Sequence, residues 1–100
     1  MHPHSSLPEY LAVRHLLDAP SLAQRTASYI GDADFDWPGL IGETSTMSGG
    51  ESLLVLVAYE LWHAEKSVGL WELARRLDPW SFERVLEALS ICRTGKASAA

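Results

Sequence analysis

One segment dictates what this chain can become. Leu53-Leu54-Val55-Leu56-Val57-Ala58-Tyr59 is apolar on nearly every side and follows closely on Ser48-Gly49-Gly50-Glu51. In that tetrapeptide the serine hydroxyl can accept from the backbone at Glu51 while the glutamate reaches back to the serine N–H, the reciprocal pattern of a capping box. Val55 and Val57 would suit a strand, but the cap, the length and the continuation to Glu65 predict a helix over 49-65. A helix that is apolar all round has to be enclosed by the rest of the chain, so this one is expected at the centre of the core. It is closed by Glu60 and is far shorter than the roughly 20 apolar residues a membrane span needs.

The remaining elements are also helical in pattern. Ser6-Leu7-Pro8-Glu9 and Ser21-Leu22-Ala23-Gln24 repeat the capping-box spacing, which predicts helices over 7-18 and 21-30, the first stopping near Asp18 before Pro20 and the second at Gly31. Leu70, Leu73, Ala74 and Leu77 share one face of a helix over 69-77, which Asp78-Pro79 is expected to end. A last helix over 81-92 places Phe82, Val85, Leu86, Leu89 and Ile91 or Cys92 inward. The expected fold is therefore all-α, a compact array of about five helices around the central helix 49-65, in one small domain. Residues 1-5 and 94-100 are polar or small and are expected to be disordered.

Between Gly31 and Gly50 the pattern breaks down. The stretch holds five glycines, Pro38 and three alternating aspartates, and no apolar periodicity runs through it, so a long acidic loop is expected over 31-48. Loops of this length are uncommon in small domains and tend to carry function. Within it Phe35 and Trp37 stand among Asp32, Asp34 and Asp36, the composition of a docking surface with aromatic anchors inside an acidic rim. These five residues are the candidate partner-binding set. Counting from Asp32, Asp34, Asp36 and Glu43 also fall at calcium-loop positions 3, 5 and 12, but Trp37 occupies the position of the turn glycine, so no metal is assigned.

Charge narrows the classes of partner. The net charge is -5, of which -4 falls before Thr44 (Arg14 and Arg25 against Glu9, Asp18, Asp32, Asp34, Asp36 and Glu43). Such a field repels phosphate backbones and disfavours nucleic acid as a general partner. Cys92 is the only cysteine, so no disulfide can form within the chain, and with no secretory signal legible at Met1-His2-Pro3-His4 a cytoplasmic location is expected. Six arginines against two lysines, with abundant alanine, fit a GC-rich bacterial genome.

The catalytic and cofactor motifs are incomplete. Glu60 and His63 have the Glu-x-x-His spacing of di-iron bundles, which require a second such pair that the chain lacks. No GxxxxGK[ST] phosphate loop is present, and no histidine–cysteine cluster reaches a zinc pattern. Ser48-Gly49-Gly50-Glu51 is similar to the signature motif of ABC-type ATPases over its four residues, which implies contact with nucleotide held by a partner; the capping box accounts for the same residues. Leu70 to Leu77 with Val85 to Leu89 resembles a helix-turn-helix DNA reader, which implies phosphate contacts from Arg75, Arg76 and Arg84, although Pro79 and Trp80 occupy the turn and Glu83 and Glu87 the reading helix.

These observations converge on a non-enzymatic, regulatory binding protein that takes no cofactor and works through a protein partner. A DNA-binding regulator, in dimeric form, is the second expectation. The third is an acidic mimic of nucleic acid that occupies a basic site on a phage or host defence protein.

Overall fold

The computed structural model describes residues 7–32 and 34–95, and over these the chain is all-α. It contains α1 (Pro8–Leu17), α2 (Ala23–Thr26) running into a 3-10 turn (Ala27–Tyr29), α3 (Trp37–Glu43) extended by a second 3-10 turn (Thr44–Thr46), α4 (Gly49–His63), α5 (Leu70–Arg76) and α6 (Pro79–Thr94). Among the described residues the only β pairing is an isolated bridge between Ile30 and Phe35.

α4 forms as its sequence requires. Ser48 Oγ accepts from Glu51 N at 3.1 Å, and Glu51 Oε1 accepts from Ser48 N at 3.0 Å. Leu53, Leu54, Val55, Val57, Ala58 and Trp62 are buried along it. The helix ends at His63 rather than at 65, because Ala64 turns into the left-handed region at φ 58°. The chain then folds back along α4, where Ser67 Oγ donates to the Leu56 carbonyl at 2.6 Å.

The centre is shared with α1. α1 packs on both α6 and α4, more extensively than those two pack on each other. Tyr10, Ala12, Val13, Leu16 and Leu17 are all buried, a set too wide for one stripe and matched to two neighbours.

Three start signals behave differently from the sequence pattern. α1 begins at Pro8 with Leu7 in the capping position, while Ser6 lies outside the described residues. Ser21 caps nothing: α2 starts at Ala23, because the N–H groups of Leu22 and Ala23 already bond the Ala19 carbonyl at 2.8 and 2.9 Å in the turn around Pro20. Asp78-Pro79 opens α6 instead of only closing α5. Asp78 Oδ1 accepts from Ser81 N at 2.7 Å, and proline at the first helical position has no N–H to leave unpaired. α6 therefore starts two residues before the expected 81 and runs to Thr94, where Gly95 (φ 85°) stops it. Of the two expected disordered ends, 1-5 and 96-100 fall outside the described residues.

The long loop expected over 31-48 is mostly helix. Asp36 Oδ1 accepts from Gly39 N at 3.1 Å and caps α3, with Pro38 in the first turn. Gly39 is needed there, since a Cβ would come within 2.5 Å of the Tyr29 ring. Only a tight turn remains: Gly31 N donates to the Asp34 carbonyl at 2.8 Å and Asp36 N to the Tyr29 carbonyl at 2.8 Å. Arg25 then bridges from α2 to Glu43 Oε1 (3.0 Å) and the Thr46 carbonyl (3.1 Å), which holds α3 and its 3-10 extension against the body.

Candidate functional site

The turn at 31–36 points its two aromatic residues inward. Phe35 and Trp37 are each only 7% exposed. Phe35 stacks on Tyr10 at 5.1 Å and meets Trp62 edge-on at 5.0 Å, while Trp37 lies edge-on to Tyr59 (5.6 Å) and His63 (5.3 Å). The expectation of exposed aromatic anchors is therefore corrected: alternation in Asp34-Phe35-Asp36-Trp37 puts the rings in the core and the carboxylates in water. The turn is drawn down by Tyr10, whose hydroxyl donates to the Gly31 carbonyl at 2.6 Å. Trp37 Nε1 is buried with no hydrogen-bond partner.

The acidic residues do not converge. Asp32, Asp34 and Asp36 are exposed, with Asp34 accepting from Phe35 N at 2.8 Å and Asp36 serving as the helix cap. Glu43 is turned to Arg25 and to the Tyr29 hydroxyl, which donates to its Oε2 at 2.9 Å. That bond, with burial second, holds the Tyr29 phenol above its usual ionisation range. Among the described residues no three potential metal-ligating side chains gather. Glu60 and His63, paired by spacing, have separate structural tasks: Glu60 Oε1 accepts from Ser67 N at 3.1 Å, and His63 Nδ1 bonds the Tyr59 carbonyl at 2.9 Å.

The three arginines proposed for phosphate contact are placed differently from one another. Arg75 is exposed, Arg76 lies 3.7 Å from Glu72 on the same helix, and Arg84 Nε donates to the His15 carbonyl at 2.7 Å. Arg84 is thus committed to the α1–α6 contact. The same contact holds His15 Nε2 at 2.7 Å from Glu87 Oε1.

The largest departure from the sequence expectation lies on α5 and α6. Phe82, Leu86 and Leu89 were expected inward, yet they are 37%, 45% and 46% exposed. α6 turns its Val85, Ala88 and Ile91 positions to the core, and the larger side chains are left along an outer flank. On α5 only Leu73 is buried; Leu70 is 84% and Trp71 70% exposed, and Ala74 is exposed one turn on from Leu70. The cause is length. α5 has seven residues, and the two-residue link Leu77-Asp78 leads straight into α6, so a single turn of apolar side chain reaches the core.

The two helices and the end of α4 enclose an open cleft of about 570 Å³, whose apolar wall is built from Leu61, Val68, Leu70, Val85 and Leu89, with Glu60 and Lys66 on its lining. A second cleft, of about 560 Å³, lies on the other flank of α6, between Ala19-Pro20 and Trp80. The first has a mainly apolar wall suited to burying apolar side chains, whereas the second is lined largely by polar and charged residues, among them Asp78, Glu83, Arg84 and Glu87.

The signal for this face was present in the sequence as surplus. The last helix carries apolar residues at 82, 85, 86, 88, 89, 91 and 92, more than one buried stripe can hold. Which part would face out depended on where α1 lay. No helix among the described residues is long and apolar enough to cross a membrane. Compared with known proteins, the chain matches no family, no curated protein and no solved structure.

Proposed function

We propose that this chain is a small, non-enzymatic binding domain of regulatory type that works through a protein partner, docking by the apolar face of α5 and α6. The observation that carries the reading is the exposure of Leu70 and Leu89 on the wall of one apolar cleft, with Trp71 exposed next to Leu70 in the chain. An exposed tryptophan such as Trp71 is of the residue type that most often carries the binding energy of an interface. The acidic turn takes a lesser role, since its aromatic residues are engaged in the core. A cytoplasmic setting suits the single cysteine.

The test is a comparison of variants in affinity capture with the full chain. Leu70→Glu and Leu86→Glu are expected to lose the bound partner, while Asp32→Asn with Asp34→Asn retains it. The reverse pattern, with binding that weakens in salt, would overturn the reading in favour of an acidic mimic. Recovery only of nuclease-sensitive DNA, lost on neutralising Arg75 and Arg76, would favour a DNA-binding regulator.

A further inference from the structure

We infer that the cleft between the Ala19-Pro20 turn and the first half of α6 is a second docking site, separate from the α5–α6 face, and that it takes an arginine side chain presented by a protein partner.

The first argument is the wall of the cleft. Trp80 lines it and is 87% exposed, the most uncovered large apolar side chain among the described residues. It stands in the first turn of α6, where Pro79 and the Asp78 cap set the backbone, so the ring is presented from a formed helix end. An indole face open to solvent holds a cation through the charge distribution of its ring. The volume of about 560 Å³ lies within the roughly 300–1,000 Å³ of sites that take small ligands, and is ample for one long side chain. An open cleft encloses too little of a free ion to hold it tightly, whereas a side chain on a protein surface brings neighbouring contacts with it.

Charge is the second argument, and it selects the guest. Three carboxylates, those of Asp78, Glu83 and Glu87, line the cleft against a single base, Arg84. Three of these four groups already have tasks: Arg84 Nε donates to the His15 carbonyl, Glu87 meets His15 Nε2, and Asp78 accepts from Ser81 N. Glu83 is exposed and has neither an ion pair nor a hydrogen bond to any described residue. An apolar side chain laid over it would take an unpaired carboxylate out of water, which is costly. An anionic guest would meet a surplus of like charge. Among the described residues no three potential metal-ligating side chains gather, so the negative charge is spread along the cleft rather than focused on a point. Spread carboxylates beside an open indole suit a large organic cation. Of the two that proteins carry, guanidinium stacks flat on an aromatic ring and offers a carboxylate two parallel donors, while ammonium is a compact point charge.

The experiment uses the isotope-labelled full chain and a capped peptide with one arginine between alanines, with lysine and citrulline counterparts. Amide signals of Ser21 and of residues 80–84 are expected to shift with the arginine peptide at millimolar concentration, and less as salt is raised. Trp80→Ala and Glu83→Gln, both at exposed positions, should each weaken binding about 2–5-fold with the other amide signals in place, the worth of an exposed cation–π contact or ion pair. The lysine peptide should bind more weakly and the citrulline peptide not at all. Leu70→Glu should leave this binding unchanged, since Leu70 lines the other cleft, so the two sites stand or fall separately. No shift at these signals, or equal binding of the citrulline peptide, would overturn the site. Full binding in both Trp80→Ala and Glu83→Gln would overturn its placing, and equal binding of the lysine peptide would overturn guanidinium as the guest.

Discussion

His15 Nε2 on α1 lies 2.7 Å from Glu87 Oε1 on α6, a contact between residues 72 positions apart, and Arg84 Nε reaches the His15 carbonyl beside it at 2.7 Å. These bonds flank the inner face of α6, on which Val85, Ala88 and Ile91 are buried, and agree with it in the rotation of the helix about its own axis. With Glu87 and Arg84 held against α1, the Phe82–Leu86–Leu89 flank has to face outward. The exposed flank is thus the counterpart of the apolar and polar contacts made on the other side of the helix. Glu87→Ala is expected to cost about 1 kcal/mol, the usual worth of a partly exposed polar pair, and to lower Tm by roughly 4–8 °C. Thermal and urea unfolding measure it, and a variant as stable as the parent would mean the pair does not hold α6 in place.

Phe35 separates the core from the docking account of the acidic turn. Phe35→Ala removes a ring packed on Tyr10 and Trp62 and is expected to cost about 3–5 kcal/mol, a large share of a small domain's stability. Asp32→Asn, at an exposed position, should change stability by less than about 0.5 kcal/mol. Urea unfolding of both variants gives the contrast; equal and small effects would return Phe35 to the surface.

Two serines with the same sequence signature should respond differently. Ser48→Ala removes the hydroxyl half of a formed capping box, the bond from Glu51 N, and is expected to destabilise by about 0.5–2 kcal/mol. Ser21→Ala should be neutral within about 0.5 kcal/mol, since its hydroxyl caps no helix. The difference in urea midpoint at constant slope is the readout.

Ala64 holds a left-handed conformation at φ 58° to end α4. A Cβ is disfavoured there by roughly 1–2 kcal/mol, part of which glycine gives back through its freer unfolded state. Ala64→Gly is therefore expected to stabilise the protein by about 0.5–1 kcal/mol, seen as a higher urea midpoint. A loss of stability would show that the turn is held by contacts of the methyl group.

The Tyr29 phenol donates to Glu43, and this bond raises its ionisation above the ordinary tyrosine range of about 10. The folded state then binds the phenolic proton more tightly than the unfolded state does. The contribution to stability is complete below pH ~10 and is lost as pH rises through the folded value. The difference between the absorbance titrations of the parent and Tyr29→Phe should isolate a tyrosine signal above the ordinary range, and Glu43→Gln should bring that signal down. A Tyr29 signal at the free value would break the link between α3 and the turn before it.

Much of the helical order was readable in advance because it depends on neighbouring residues. The cap at Ser48, the apolar run from Leu53 and the break after Leu77 each act within a few positions of chain. α3 was hidden because Pro38, Gly39 and Gly42 count as breakers in a local pattern. In the folded chain Pro38 sits in the first turn, where no N–H is missed, and Gly39 admits the Tyr29 ring. The Asp78-Pro79 pair was ambiguous for the same reason, since it can stop one helix and start the next.

What the sequence determined by itself was the all-α class, the enclosure of α4 and its capped start, because periodicity and capping are properties of short stretches of backbone. What only the tertiary structure decided was direction: Phe35 and Trp37 turned into the core, and Phe82, Leu86 and Leu89 turned away from it. A side chain's facing depends on which neighbour its element meets. That neighbour is set by contacts such as His15 with Glu87 and Tyr10 with Gly31, which join parts of the chain that no local pattern relates.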